Sequence, residues 1–127
     1  MTNKHNMRYI VVHSTGTSVR QTLNTAALPY HFLITPSGRL INIRPVQAKE
    51  GCVDIAYQGG LDKKGSLNDS RTSSQCDCMF TTLVLLSEQF PEARIVGADE
   101  LYGSNESPGF AVKSWLQEYV PSLLLAA

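Results

Sequence analysis

Between Thr72 and Pro91 the chain spells out one long amphipathic helix, and such a helix commits its owner to a partner layer. Thr72-Ser73-Ser74-Gln75 has the form of a capping box, in which a threonine hydroxyl and a glutamine three residues on satisfy two free backbone donors. Behind it Cys76, Met79, Phe80, Leu83, Leu86 and Phe90 recur at helical spacing, and Pro91 stops the run. Val84 and Leu85 are expected to widen the apolar face, so that the helix lies flat on a sheet.

The sheet is supplied by what comes before. Arg8 to Val12 is dense in β-branched and aromatic residues and ends at His13-Ser14-Thr15-Gly16. Tyr30 to Thr35 and Arg39 to Ile43 flank Pro36-Ser37-Gly38 and form a β-hairpin. Cys52 to Tyr57 alternates as a fourth strand and ends at Gly59-Gly60, while Ala93 to Val96 forms a fifth. A short helix is expected from Ser18, where Ser18-Val19-Arg20-Gln21 reads as a second capping box, to Leu28 before Pro29. Arg44 to Gly51, Leu61 to Arg71 and Asp99 to Gly109 read as loops, and Phe110 to Tyr119 as a final helix with Val112, Trp115, Leu116 and Tyr119 inward. Strands and helices mixed in this order give an α/β fold, a mixed β-sheet packed by helices in one domain spanning residues 1–127.

Composition narrows the classes of function. With 127 residues and 43% hydrophobic content, one core can bury roughly two thirds of the unfolded surface. Eleven basic and eleven acidic residues cancel, so a nucleic-acid partner is not expected. No segment reaches the roughly 18 apolar residues that a membrane-spanning helix needs, and the first seven residues lack the apolar core of a signal peptide. A cytoplasmic protein without a membrane partner is therefore expected. Cys52, Cys76 and Cys78 are odd in number and lack zinc-knuckle or disulfide spacing, which favours reduced thiols.

His13 is the first candidate for chemistry, because a strand that ends on a histidine and two hydroxyls presents polar groups at the end of a sheet. Taken alone, a histidine there is more often a hydrogen-bonded structural residue, and Tyr30 alone is more often a half-buried strand tyrosine.

The order of segments adds a resemblance. IVVHSTGT from Ile10, YHFLITPSGRL from Tyr30, AYQGGLDKKG from Ala56, RTSSQ from Arg71, PEARIVG from Pro91 and PGFAVKSWL from Pro108 together resemble the zinc-dependent N-acetylmuramoyl-L-alanine amidases. This is the family of T7 lysozyme and the peptidoglycan recognition proteins, and the likeness is to its short phage and Bacteroides-type members. Members cleave the muramoyl-L-alanine amide with a zinc ion on two histidines and a cysteine, whose open position activates water and polarises the carbonyl. The resemblance implies that His13 stands at the first zinc position and Tyr30 at that of the catalytic tyrosine, with His31 beside it as a non-ligand. The second and third ligand positions hold Ala98 and Ser107, and Asn105 takes the place of the polar residue that assists the oxyanion. His13 is then the remnant of a metal site, Tyr30 is vestigial as a catalyst, and no cofactor is expected unless zinc returns to a rebuilt site.

The resemblance thus implies an amidase-like domain that binds a peptidoglycan fragment or another small ligand through His13, Thr15, Tyr30, Asn105 and Ser107. Shorter segments between His13 and Tyr30 and between Arg44 and Val53 are expected to reshape the groove. Two alternatives stand beside it: an active amidase with a rebuilt zinc site, to which Asp99, Glu100 or Glu106 could lend an oxygen, and an assembly subunit that uses the old cleft to associate with itself or a protein partner.

Overall fold

A computed structural model describes residues 7–103 and 106–126. Its centre is a five-stranded sheet of β1 (Tyr9–Ser14), β2 (Phe32–Ile34), β3 (Leu40–Asn42), β4 (Cys52–Tyr57) and β5 (Arg94–Gly97), in the order β3-β2-β4-β1-β5. β1 runs parallel to both β4 and β5, and β2 parallel to β4; only the β2–β3 hairpin is antiparallel. The fold is α/β with a mixed sheet, as the alternation of segments implies.

Side-chain alternation along β1 and β4 separates two faces. Ile10, Val12, Val53, Ile55 and Tyr57 point into the larger core, where Ile34, Met79, Leu83, Leu86, Phe90 and Val112 meet them. Val11, Val96 and Ala98 form a smaller cluster. His13 and Asp54 alternate onto that second face, since they lie two residues from Val11 and one from Val53.

Helix α1 (Ser73–Gln89) is capped as its sequence dictates: the Gln75 backbone N–H donates to the Thr72 hydroxyl at 3.0 Å, and the Thr72 N–H donates to Gln75 Oε1 at 3.0 Å. Gln75 also bolts the helix to the sheet, because its buried Nε2 donates to the carbonyls of Ile34 at 3.2 Å and Gln58 at 3.0 Å. Val84 and Leu85 do not widen the core face; they stay 40% and 60% exposed. One and two residues beyond Leu83 turn the side chain by roughly 100° and 200°, away from the sheet.

Three further expectations change. Ser18 to Leu28 is not a helix and contains only a single 3-10 turn, Thr25–Ala27. Its backbone is claimed elsewhere: Gln58 Nε2 donates to the carbonyls of Val19 at 3.2 Å and Gln21 at 2.8 Å, and Thr17 bridges to Gly60. The stretch after β5 is not all loop, for α2 (Ala98–Tyr102) starts there with Glu100 Oε2 accepting from the Gly97 N–H at 2.8 Å. Finally α3 (Val112–Ala126) runs past Pro121, which removes one helical hydrogen bond without forbidding continuation.

Arg71 ties α3 to the rest. Its Nε and Nη2 donate to Asp69 Oδ1 and Oδ2, each at 2.9 Å, and its guanidinium lies 3.4 Å from the Phe110 ring centroid and 4.4 Å from that of Trp115. Burial alone would raise the Asp69 carboxyl, but the hydrogen bonds and charge of Arg71 outweigh it and hold the group below its ordinary 3.8. With the folded value below the unfolded one, this pair stabilises fully above about pH 4 and progressively less as pH falls through the folded value. Thermal unfolding of the full chain should therefore show a fall in Tm below about pH 4 that is shallower in Asp69→Asn. An identical acid limb in the two proteins would contradict this role.

Candidate functional site

β1 delivers His13 and β4 delivers Asp54 to the same face, and parallel pairing sets them diagonally, with Val11 opposite Asp54 and His13 opposite Ala56. His13 Nε2 meets Asp54 Oδ1 at 2.8 Å. Burial by itself would raise the Asp54 carboxyl, yet the His13 hydrogen bond, with the charges of His13, His31 and Arg44, brings it below the usual range. Asp54 is thus an acceptor at neutral pH. The Cys52 thiol approaches its other oxygen at 3.8 Å, and burial, with Asp54 beside it, pushes that thiol up and away from thiolate chemistry.

Asp54 is held from behind. Its backbone N–H donates to His31 Nδ1 at 2.9 Å, its carbonyl accepts from the His31 N–H at 2.9 Å, and His31 Nε2 reaches Glu50 Oε1 at 3.0 Å. Because Nδ1 accepts, the hydrogen-bond network assigns the His31 proton to Nε2, which donates to Glu50. Arg44 Nη1 donates to the same Glu50 carboxylate at 3.0 and 3.3 Å. His31, with no exposed surface, is therefore a strut between the central strand and the Ala48–Glu50 turn.

Tyr30 lies against His13, with ring centroids 5.0 Å apart and planes at 48°. Its hydroxyl donates to the Ser14 carbonyl at 3.3 Å. Burial, and secondarily the Asp54 charge, raise its pKa, so the phenol keeps its proton.

The other sequence-derived residues fare differently. Thr15 is occupied in the loop: its Oγ1 lies 2.7 Å from Thr17 Oγ1, accepts from the Gly59 N–H at 3.0 Å and donates to the Gly59 carbonyl at 3.3 Å. Ala98 follows Gly97, which pairs with Val12, so it lies one step beyond the β1–β5 register, beside His13's place in it. There its methyl is buried against Val11 and Val96. Ser107 is drawn to the same end, its carbonyl accepting from the Asp99 N–H at 2.8 Å. Asn105 falls outside the described residues. Asp54 was not singled out from the sequence, although a signal was there: an acid in an otherwise apolar alternating strand, on the face of Cys52 and Ala56.

Further along this face Arg8, Tyr9, Glu50, Gly51, Cys52, Leu101 and Tyr102 line an open pocket of about 330 Å³. Tyr102 stands near both Cys52 and Asp54; burial first, then their charges, raise its pKa.

The donor set does not suit a tetrahedral zinc site. His13 already engages a carboxylate, the buried Ala98 methyl stands where the resemblance implies a second ligand, and the Ser107 hydroxyl is a poor zinc ligand beside a thiolate. Among the described residues no three His, Cys, Asp or Glu side chains converge so as to hold a metal ion.

The chain shares its fold with two solved proteins. It superimposes on the Ph2119 endolysin from Thermus scotoductus MAT2119 bacteriophage Ph2119 with a TM-score of 0.68 and 20% identity, over 88% of this chain and 83% of that one. It also matches bumblebee PGRP-SA with a TM-score of 0.52 and 15% identity, over 80% and 78% of the two chains. No protein-family model matches the sequence. No curated protein matches it either. The mixed-sheet α/β architecture expected from the segment order is thus the architecture present and is shared with these two proteins, and no helix among the described residues is long and apolar enough to cross a membrane.

Proposed function

We propose that this domain binds a muramoyl-peptide-type ligand at the His13–Tyr30 site without zinc and without hydrolysing it. The observation that carries the reading is the 2.8 Å contact between His13 Nε2 and Asp54, made where Ala98 and Ser107 offer no companion ligands. The fold shared with an endolysin and a PGRP supports the ligand class. Ala98 and Ser107 offer no strong ligands for a Lewis acid that would polarise a scissile amide, and the Tyr30 hydroxyl donates its hydrogen bond to the Ser14 carbonyl rather than to the place where an oxyanion would form.

The test uses the purified full chain. Metal analysis is expected to find no stoichiometric zinc, cell walls to release no soluble muropeptide, and calorimetry to detect muramoyl dipeptide binding that His13→Ala weakens at least tenfold while the protein still melts cooperatively. Stoichiometric zinc that disappears in His13→Ala, or muropeptide release, would favour a working amidase instead.

One observation favours a second reading, an assembly subunit. Val84 and Leu85 are exposed on α1, and Val84 borders a largely apolar pocket of about 340 Å³ that Phe80, Leu83, Ile95 and Leu116 help to line. Light scattering that finds only monomer at high concentration would count against it.

A further inference from the structure

We infer that the His13 site is an acceptor site: Asp54 fixes the imidazole in one tautomer, so that a bare His13 Nδ1 takes a hydrogen bond from an N–H or O–H group of the occupant. The first support is the His13–Asp54 contact. A carboxylate oxygen 2.8 Å from Nε2 can only accept, so Nε2 carries the proton and Nδ1 of the neutral ring has a free lone pair.

That lone pair is unclaimed by the described residues. Nδ1 has no hydrogen-bond partner among the described residues, yet it is not sealed in, since Ser14 Oγ is the only buried side-chain N or O atom among them without a partner. The His13 side chain keeps 15% of its surface open.

A second acceptor stands beside it. The Tyr30 hydroxyl proton points to the Ser14 carbonyl, which leaves the phenolic oxygen free to accept. Both groups therefore receive hydrogen bonds, and a site that stabilises an oxyanion must instead donate them. The occupant such a pair recognises is rich in donors, a peptide amide or a sugar hydroxyl, and an unpaired carboxylate or phosphate in the same place would face lone pairs with Asp54 behind them.

Asp54 is a positioning residue here, for it acts through His13. Its main chain is anchored to His31 by two hydrogen bonds, the Asp54 N–H to His31 Nδ1 and the His31 N–H to the Asp54 carbonyl, each at 2.9 Å. This second-layer support suits a group whose task is to hold a tautomer.

The inference rests on the proposed binding function only for the identity of its occupant, and nitrogen NMR of histidine-labelled full-length protein at neutral pH separates the two. Wild-type His13 is expected in the Nε2–H form; Asp54→Ala should lose that preference and bind muramoyl dipeptide roughly tenfold more weakly. Saturating muramoyl dipeptide should shift the wild-type Nδ1 resonance. An Nδ1–H tautomer in wild type, a tautomer indifferent to Asp54→Ala in a folded variant, or dipeptide binding that leaves Nδ1 unmoved would each overturn the inference. Failure of the dipeptide to bind would overturn the proposed ligand instead, and the wild-type tautomer, which needs no variant, would then decide the acceptor role.

Discussion

Replacing Arg71 with alanine is expected to lower the free energy of unfolding by roughly 3 kcal/mol, a loss few single side chains outside an apolar core would produce. The Arg71 side chain is only 4% exposed and serves four partners at once: the Asp69 carboxylate through two 2.9 Å hydrogen bonds, the Met79 sulfur at 3.9 Å, and the faces of Phe110 and Trp115. Alanine removes the stem that fills this space, both cation–π contacts and the fork on Asp69. Asp69 is 36% exposed and can be rehydrated, which keeps the loss at the lower end of that for breaking a buried pair. Lysine should recover less than half, since an ammonium can neither stack on two rings nor bridge both oxygens. Urea unfolding of the three proteins measures this directly, and a loss under about 1 kcal/mol for the alanine variant would reduce Arg71 to a surface residue.

Gly60→Ala should be at least as damaging, roughly 3 kcal/mol or more, and should reach the site as well as the fold. Gly60 has φ of +104°, and a Cβ there would lie 2.2 Å from Ser14 Oγ and 2.5 Å from Ser14 Cβ. Ser14 is the buried last residue of β1, directly after His13, and its carbonyl receives the Tyr30 hydroxyl. Any shift that admits the methyl therefore moves the His13–Tyr30 pair. Gly65→Ala is the control: its φ is +81° but nothing lies within 4 Å of its Cβ position, so it should lose only about 1 kcal/mol to backbone strain. If the two variants melt alike, close approach to Ser14 does not govern this corner of the sheet.

The elements legible in the sequence are those whose own residues decide them. α1 was readable because its capping box and its apolar spacing agree, and β4 because six alternating residues end at glycines that only a turn accommodates. Ser18 to Leu28 was not, since its local capping signal lost to Gln58, some forty residues later, which takes the Val19 and Gln21 carbonyls. α2 escaped notice because five residues carry too little periodicity to register, and Val84 and Leu85 were misplaced because an apolar residue does not declare which side of a helix meets the sheet.

The same division runs through the site. The sequence by itself placed His13 and Tyr30 at the ends of expected strands and put alanine and serine at residues 98 and 107, where the resemblance implies a histidine and a cysteine. Only the tertiary structure decided what His13 does instead. Asp54 lies 41 residues away, and nothing local relates the two. The register of two parallel strands sets their side chains on one face within hydrogen-bonding reach, and that register is fixed by the burial of Ile10, Val12, Val53 and Ile55 on the other.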